Sequence, residues 1–185
     1  EKINIIKILK LAKKNRCVVI IDEAYYGFYK NSYIKLIKKF NNLIILRTFS
    51  KAFGLAGIRA GFIVSNKTLI KKMYSFRPMY EINSLACLII KEIYKNKKLV
   101  SSYIQKTLDG KKYLIKQLNQ LKIKHHETFT NFILIDFSNR GNLDRIKKYL
   151  KKEKILARKA PNIRAFRHYL RFTLGPVEYM KKVNK

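Results

Sequence analysis

Glycine is scarce in this sequence, seven in 185 residues, yet three of the seven fall in one short stretch. From Leu46 to Phe62 the chain reads Leu-Arg-Thr-Phe-Ser-Lys-Ala-Phe-Gly-Leu-Ala-Gly-Ile-Arg-Ala-Gly-Phe, small residues set around one lysine, Lys51, and one arginine, Arg59. Glycine removes the Cβ barrier to unusual dihedrals and to close approach, so this cluster beside a lysine predicts a backbone wrapped around a bulky ligand. The flanks restrict the folds that can present such a loop. Leu43 to Leu46 and Gly61 to Val64 are short apolar runs of strand composition, which puts Thr48, Ser50 and Lys51 just beyond a strand end.

A second anchor lies upstream. Cys17 to Ile21 is a continuous, β-branched apolar run, the pattern of a strand buried on both faces of a parallel sheet, and Asp22 stands at its carboxyl end. Open α/β sheets bind ligands beyond the carboxyl ends of their strands, so a carboxylate there is placed for use. Helical periodicity predicts helices over residues 2–13, 32–40 and 68–74. Strand, helix, strand, turn, strand is the rhythm of an α/β layer.

Pro78 breaks this pattern. From Ile82 the apolar spacing predicts one long helical stretch to about Leu121, with Asp109-Gly110 as a possible interruption. Beyond it the sequence predicts strands at Phe132–Phe137, Ile155–Ala157 and Tyr169–Thr173, a helix from Asn142 to Lys151, and a last helix opened by Pro176.

Two motifs carry a family resemblance. Ser50-Lys51-Ala52-Phe53-Gly54-Leu55-Ala56-Gly57-Ile58-Arg59-Ala60-Gly61 resembles the cofactor-lysine motif of the class I/II aminotransferases, the pyridoxal-phosphate enzymes of fold type I. Val18-Val19-Ile20-Ile21-Asp22-Glu23-Ala24-Tyr25 resembles the strand ending in the aspartate and tyrosine that face the pyridine ring. The order and spacing match as well, and the nearest likeness is to the histidinol-phosphate aminotransferase branch. The resemblance implies an α/β fold: the C-terminal part of the large, mostly parallel cofactor domain, then a small α+β C-terminal domain. Long helices join the two in that family, which puts the boundary near 80 to 100, with residues 1–90 in the large domain and 91–185 in the interdomain helix and small domain.

The chemistry of the cofactor selects residue types. Its aldehyde needs a primary amine, and Lys51 is the candidate, its amine then shuttling the substrate's α-proton. Its pyridine nitrogen keeps a proton beside a carboxylate, a role for Asp22 that Tyr25 three residues later favours over the alternative of capping the next turn. The resemblance assigns Tyr25 to the ring oxygen, with Tyr26 adjacent as an alternative. Its phosphate wants fixed donors, and Ser50 and Arg59 match the family's ligands, with Thr48 a weaker third candidate, since a threonine near a strand end is more often only a β former. In Leu170-Arg171-Phe172-Thr173-Leu174-Gly175 the resemblance makes Arg171 the partner of the substrate carboxylate. Asn131 and Arg158 also match that branch, Arg158 either receiving a second anionic group or standing solvated at the surface. His125, His126 and His168 fit none of these roles and read as surface or packing residues, and no metal site is expected.

Composition bears on the rival readings. A formal charge of +31 raises nucleic acid as a partner, but the lysines are dispersed and travel with Ile and Asn, the mark of a compositional drift. Cys17 and Cys87 have no metal-ligand spacing, so buried, reduced thiols in a cytoplasmic protein are expected. No apolar run is long enough for a membrane helix, and Glu1 rather than Met begins the sequence, so it reads as part of a longer soluble chain. The family's upstream elements, a glycine-rich phosphate turn, a ring-stacking aromatic and an asparagine beside the ring oxygen, are not in it. The implied reaction is amino transfer between an amino acid or amino-alcohol phosphate and a 2-oxo acid, by a homodimer, with little activity in this piece alone. The alternatives are a decarboxylase of the same fold and a basic nucleic-acid-binding module of enzyme ancestry.

Overall fold

The computed structural model describes residues 4–161 and 163–183, apart from the side chain of Arg140. The chain divides into two compact units, Glu1–Val100 and Ser101–Lys185.

In the first unit α1 (Ile5–Lys14) starts where Asn4 Oδ1 accepts the Lys7 N–H at 3.1 Å. Residues 2 and 3 of the expected helix lie outside the described residues. Three strands follow, β1 (Val19–Asp22), β2 (Leu43–Thr48) and β3 (Gly61–Ser65), in sheet order β1-β2-β3. β1 and β2 are parallel, with Asp22 beside Leu46, whereas β3 runs antiparallel to β2. The loop between β2 and β3 holds only a short 3₁₀ turn, Ala56–Ile58, and a parallel return needs a longer crossover.

Leu9, Phe40, Leu43 and Ile45 form the core of this unit, with Val19 and Ile21 packed against them. The other face of β1 is open: Ile20 is 59% exposed and Val18 46%. The expected burial of this strand on both faces is therefore not met in this chain. The strand also begins two residues late, because Cys17 N–H closes α1 by donating to Ala12 O at 2.8 Å. The expected helix over 32–40 is a short 3₁₀ stretch, Ile34–Lys38. Side chains of Glu23 and Ser32 take the amides of Tyr33 and Ile34 and hold its entry as a tight turn.

α2 (Lys67–Tyr74) and α3 (Ser84–Lys95) are each capped by an asparagine, Asn66 and Asn83. α4 (Lys97–Gln120) then runs unbroken through Asp109 and Gly110. The interruption lies earlier, at Asn96, whose backbone leaves the helical region. Both cysteines are free and exposed, contrary to expectation: Cys17 lies in the turn after α1 and Cys87 on the outer side of α3.

The second unit is an antiparallel sheet of β4 (His125–His126), β5 (Phe132–Asp136), β6 (Arg158–Lys159) and β7 (Tyr169–Thr173), in order β4-β5-β7-β6. Ile133, Ile135, Leu170 and Phe172 project into a core shared with Leu114, Leu118, Leu174 and Met180. α5 (Leu143–Lys152) and α6 (Val177–Val183) complete it. β6 lies beyond the expected Ile155–Ala157, because Ile155 N–H turns back to Leu150 O at 2.8 Å and ends α5. The histidines serve as expected: His126 packs on Phe166 with ring centroids 5.5 Å apart, and His168 Nε2 accepts from Arg167 at 2.9 Å.

Candidate active site

The parallel pairing of β1 and β2 sets their carboxyl ends side by side, and the groups singled out in the first unit collect at that edge. Asp22 is the last residue of β1 and is exposed. Its Oδ1 accepts the Ala24 N–H at 2.8 Å, so it does cap the next turn. A carboxylate has a second oxygen, and the cap fixes the group's plane without using it. Tyr25 follows, half-buried, and the Lys51 Nζ stands 5.6 Å from the centre of its ring. Among the described residues Lys51 has no ion-pair partner. Asp22, Tyr25 and Lys51 thus belong to one edge of one sheet.

The loop after β2 is knitted by Thr48. Its Oγ1 donates to Ala60 O at 3.3 Å and accepts the Ser50 N–H at 3.1 Å, so its proton is spent within the loop. Ser50 is half-buried beside it. Phe49 points into a small core with Ala60, Phe53 and Phe62, and Ala52 is buried as well, which leaves Ser50 and Lys51 half-buried between two anchored residues. Arg59 adopts a left-handed backbone, φ 56° and ψ 37°, and its Nη1 donates to Ala56 O at 2.9 Å while the side chain stays exposed.

The three glycines have three different reasons, not the single one expected. Gly54 has φ +70°, which favours glycine on backbone grounds. A Cβ on Gly61 would lie 2.8 Å from Arg47 O, so sheet packing excludes a side chain. Gly57 would meet nothing within 4 Å. Of the three it alone is bare for no internal reason, and it lies between Lys51 and Arg59.

One set of groups here had not been singled out. Glu23 is buried, and its Oε2 receives Arg47 Nη2 at 3.0 Å and Nε at 3.2 Å. Ser32 donates to the same carboxylate at 2.8 Å and accepts from Arg47 Nη2 at 2.9 Å, while Arg47 Cζ lies over the Tyr26 ring, 3.7 Å from its centre. The signal was present: acidic residues number only 11 against 42 basic ones, and this one adjoins a strand-end aspartate.

In the second unit Arg158 and Arg171 are direct cross-strand partners on β6 and β7. Arg171 is half-buried, with its guanidinium 5.2 Å from the ring centre of Phe132, and Arg158 is exposed. Asn131 stands just before β5, its carbonyl accepting the Leu174 N–H at 2.8 Å. Like charges directly opposite across a sheet are unfavourable unless an anion joins them, so this pair of arginines is chemically suited to a bidentate or doubly charged partner.

Comparison with known proteins gives the family. The family described as aminotransferase class I and II matches residues 3–184. A histidinol-phosphate aminotransferase of Thermoanaerobacter sp. (strain X514) is 36% identical over 92% of this chain and 48% of its own length. The crystal structure of the histidinol-phosphate aminotransferase from Clostridium acetobutylicum, 26% identical, superposes with a TM-score of 0.76 over 100% of this chain and 58% of that one. The enzyme of that name from Sinorhizobium meliloti, solved in complex with pyridoxal-5'-phosphate, shares the fold at 19% identity and a TM-score of 0.82, over 96% of this chain and 50% of that one. The chain spans about half the length of the curated relatives it matches. With a match from end to end and the lysine and aspartate motifs on one sheet edge, the chain belongs to the class I and II aminotransferase family.

Proposed function

We propose that this chain carries the lysine half of the active site of a pyridoxal-phosphate-dependent aminotransferase, one that moves an amino group between an amino acid or amino-alcohol phosphate and a 2-oxo acid. The observation that carries the reading is the Lys51 amine, without an ionic partner among the described residues, beside the Tyr25 ring at the edge where Asp22 ends β1. The residues fit the cofactor on their own chemistry: an exposed carboxylate for a ring nitrogen, a primary amine for an aldehyde, and hydroxyl and guanidinium donors for a phosphate beside the bare backbone of Gly57. When bound, pyridoxal phosphate supplies a carbonyl carbon for the amino group and a protonated ring that withdraws electrons from the substrate's α-carbon.

Each residue then has a task. Lys51 anchors the cofactor through its Nζ and, once displaced by substrate, carries the proton to and from the α-carbon. Asp22 keeps the proton on the ring nitrogen by charge and hydrogen bond. Tyr25 donates its hydroxyl proton to the ring oxygen. Ser50 and Arg59 hold the phosphate, while Thr48 keeps the loop in shape. In the second unit Arg171 takes the substrate's anionic group, with Arg158 its cross-strand neighbour and Asn131 just before β5, where its carbonyl holds Leu174. A histidinol-phosphate-like substrate, a homodimeric assembly and a cytoplasmic setting belong to this same reading. The free thiols of Cys17 and Cys87 suit a reducing compartment, and among the described residues no helix is long and apolar enough to cross a membrane.

The test uses the natural full-length protein. Incubation with pyridoxal phosphate, reduction with borohydride and peptide mass mapping are expected to find the label on Lys51 and to lose it in Lys51→Ala. Label on another lysine, or none, overturns the proposal. Product analysis with candidate amino acids then separates amino transfer from release of carbon dioxide.

A further inference from the structure

We infer that Glu23 and Arg47 are positioning residues that hold Asp22 and Tyr25 opposite Lys51, an inference resting on the reading of the site just given. Glu23 and Arg47 sit next to the chemistry without joining it. Glu23 follows Asp22, and side chains alternate along a strand, so its carboxylate lies on the face away from the proposed ligand. Arg47 precedes Thr48 at the end of β2 in the same manner.

Their link ties together three segments. Arg47 places both Nε and Nη2 on Glu23 Oε2, a forked contact that fixes one strand end against the other. Backbone joins them too, with Glu23 N–H donating to Leu46 O at 2.9 Å. Glu23 Oε1 takes the Tyr33 N–H at 2.7 Å and Ser32 closes the triangle, so the end of the loop that leaves Asp22 is pinned back onto the carboxylate. Arg47 then covers the ring of Tyr26, the residue that follows Tyr25. Tyr25 is thereby held from both sides, by Glu23 before it and by Tyr26 after it.

Burial gives this arrangement its stiffness. The Glu23 side chain is 6% exposed and that of Arg47 16%, so neither charge is readily satisfied by water if the other moves. A neighbouring pair in such a site has a single well-determined geometry, and rigid support of this kind sets the accuracy of the groups it carries. The unit needs no ion pair here for burial alone, since its apolar core lies with Leu9, Leu43 and Ile45.

Glu23→Gln, Arg47→Lys and Ser32→Ala in the natural full-length protein test the inference, each checked for folding by circular dichroism. Two quantities are read: the dissociation constant for pyridoxal phosphate, and the pH midpoint of the visible absorption of the Lys51-bound cofactor. Arg47→Lys keeps the charge but loses the fork and the guanidinium over Tyr26. It is expected to weaken cofactor binding about tenfold and to move the midpoint, as is Glu23→Gln, with Ser32→Ala shifting both in the same direction by less. A purely structural role would lower the melting temperature and leave the midpoint where it is. Folded variants with wild-type affinity and midpoint overturn the inference; should the two charge variants fail to fold, Ser32→Ala decides on the same criteria. A wild-type protein that takes no label on Lys51 removes the reading of the site and the inference with it, whereas a labelled wild type with unmoved variants removes the inference alone.

Discussion

Replacing Gly110 by alanine sets two opposing effects against each other inside α4. Alanine is the better helix former by about 1 kcal/mol, so in an open helix the change would stabilise. Here the added Cβ would lie 1.8 Å from Gly175 O, 3.0 Å from its carbonyl carbon and 3.1 Å from Met180 Cγ. A carbon approaches a carbonyl oxygen to about 3.3 Å at closest, so about 1.5 Å must be recovered by moving backbone. Met180 can turn aside, but a carbonyl cannot. Overpacking costs about 1–3 kcal/mol even where side chains absorb part of it, and a backbone obstacle belongs at the top of that range.

The net expectation is a loss of about 2 kcal/mol, which in a domain of this size lowers the transition by about 10 °C. Urea and thermal unfolding followed by far-ultraviolet circular dichroism measure it. Two controls isolate the cause. Gly57→Ala meets nothing within 4 Å, and Gly175→Ala meets only ordinary contacts at 3.8–4.0 Å, so each is expected to stay within about 0.5 kcal/mol of the parent. If Gly110→Ala proves as stable as the parent, or more so, then α4 does not press on Gly175 and the argument fails. On the role proposed for Arg171, which β7 carries shortly before Gly175, a shifted carbonyl there is expected to weaken binding of an anionic substrate as well.

Other expectations follow from the same contacts. Lys154 has φ +59° just beyond α5, and Lys154→Gly is expected to stabilise by about 0.5–1 kcal/mol in chemical denaturation, since glycine adopts that backbone without Cβ strain. Leu9 is 0% exposed, and Leu9→Ala is expected to cost about 2–5 kcal/mol by the same assay, with no change if α1 does not pack on the sheet. Asn42 donates to Leu9 O at 3.2 Å and to Cys17 O at 3.1 Å, so Asn42→Ala leaves two carbonyls short of a donor and is expected to cost about 1–3 kcal/mol.

The parts of the molecule that were legible in the sequence are those decided by nearest neighbours along the chain. β2, β3, β5 and β7 are apolar runs with polar ends, and each forms where its pattern puts it. Asp22 and Lys51 lie at one edge because two parallel strands carry them there, which follows from strand order alone. The misreadings arise where a distant group decides. Gly110 looked like a helix breaker, and only the backbone of Gly175 explains it. The segment after Ser32 has helical spacing, but Glu23 captures its first amide. Burial of Val18 and Ile20 requires a surface on the open side of β1, and none of the described residues provides it.

The helix ends show why the cap residues gave so little warning. α1, α4 and α5 all close with a left-handed residue, and in each case it is basic: Arg16, Lys122 and Lys154, with φ of 54°, 52° and 59°. The amides of the next residues, Cys17, Ile123 and Ile155, reach back to Ala12, Leu118 and Leu150, each at 2.8 Å. That is the hydrogen bond of a glycine-closed helix made without the glycine. The apolar residue after the cap supports it in two of the three, where Ile123 and Ile155 pack against the core of the second unit. Lysine and arginine here offset their backbone strain partly by lying near the negative end of the helix. Basic residues therefore occupy positions where geometry favours glycine, which fits a chain rich in lysine throughout better than one whose lysines were placed to meet a single charged partner.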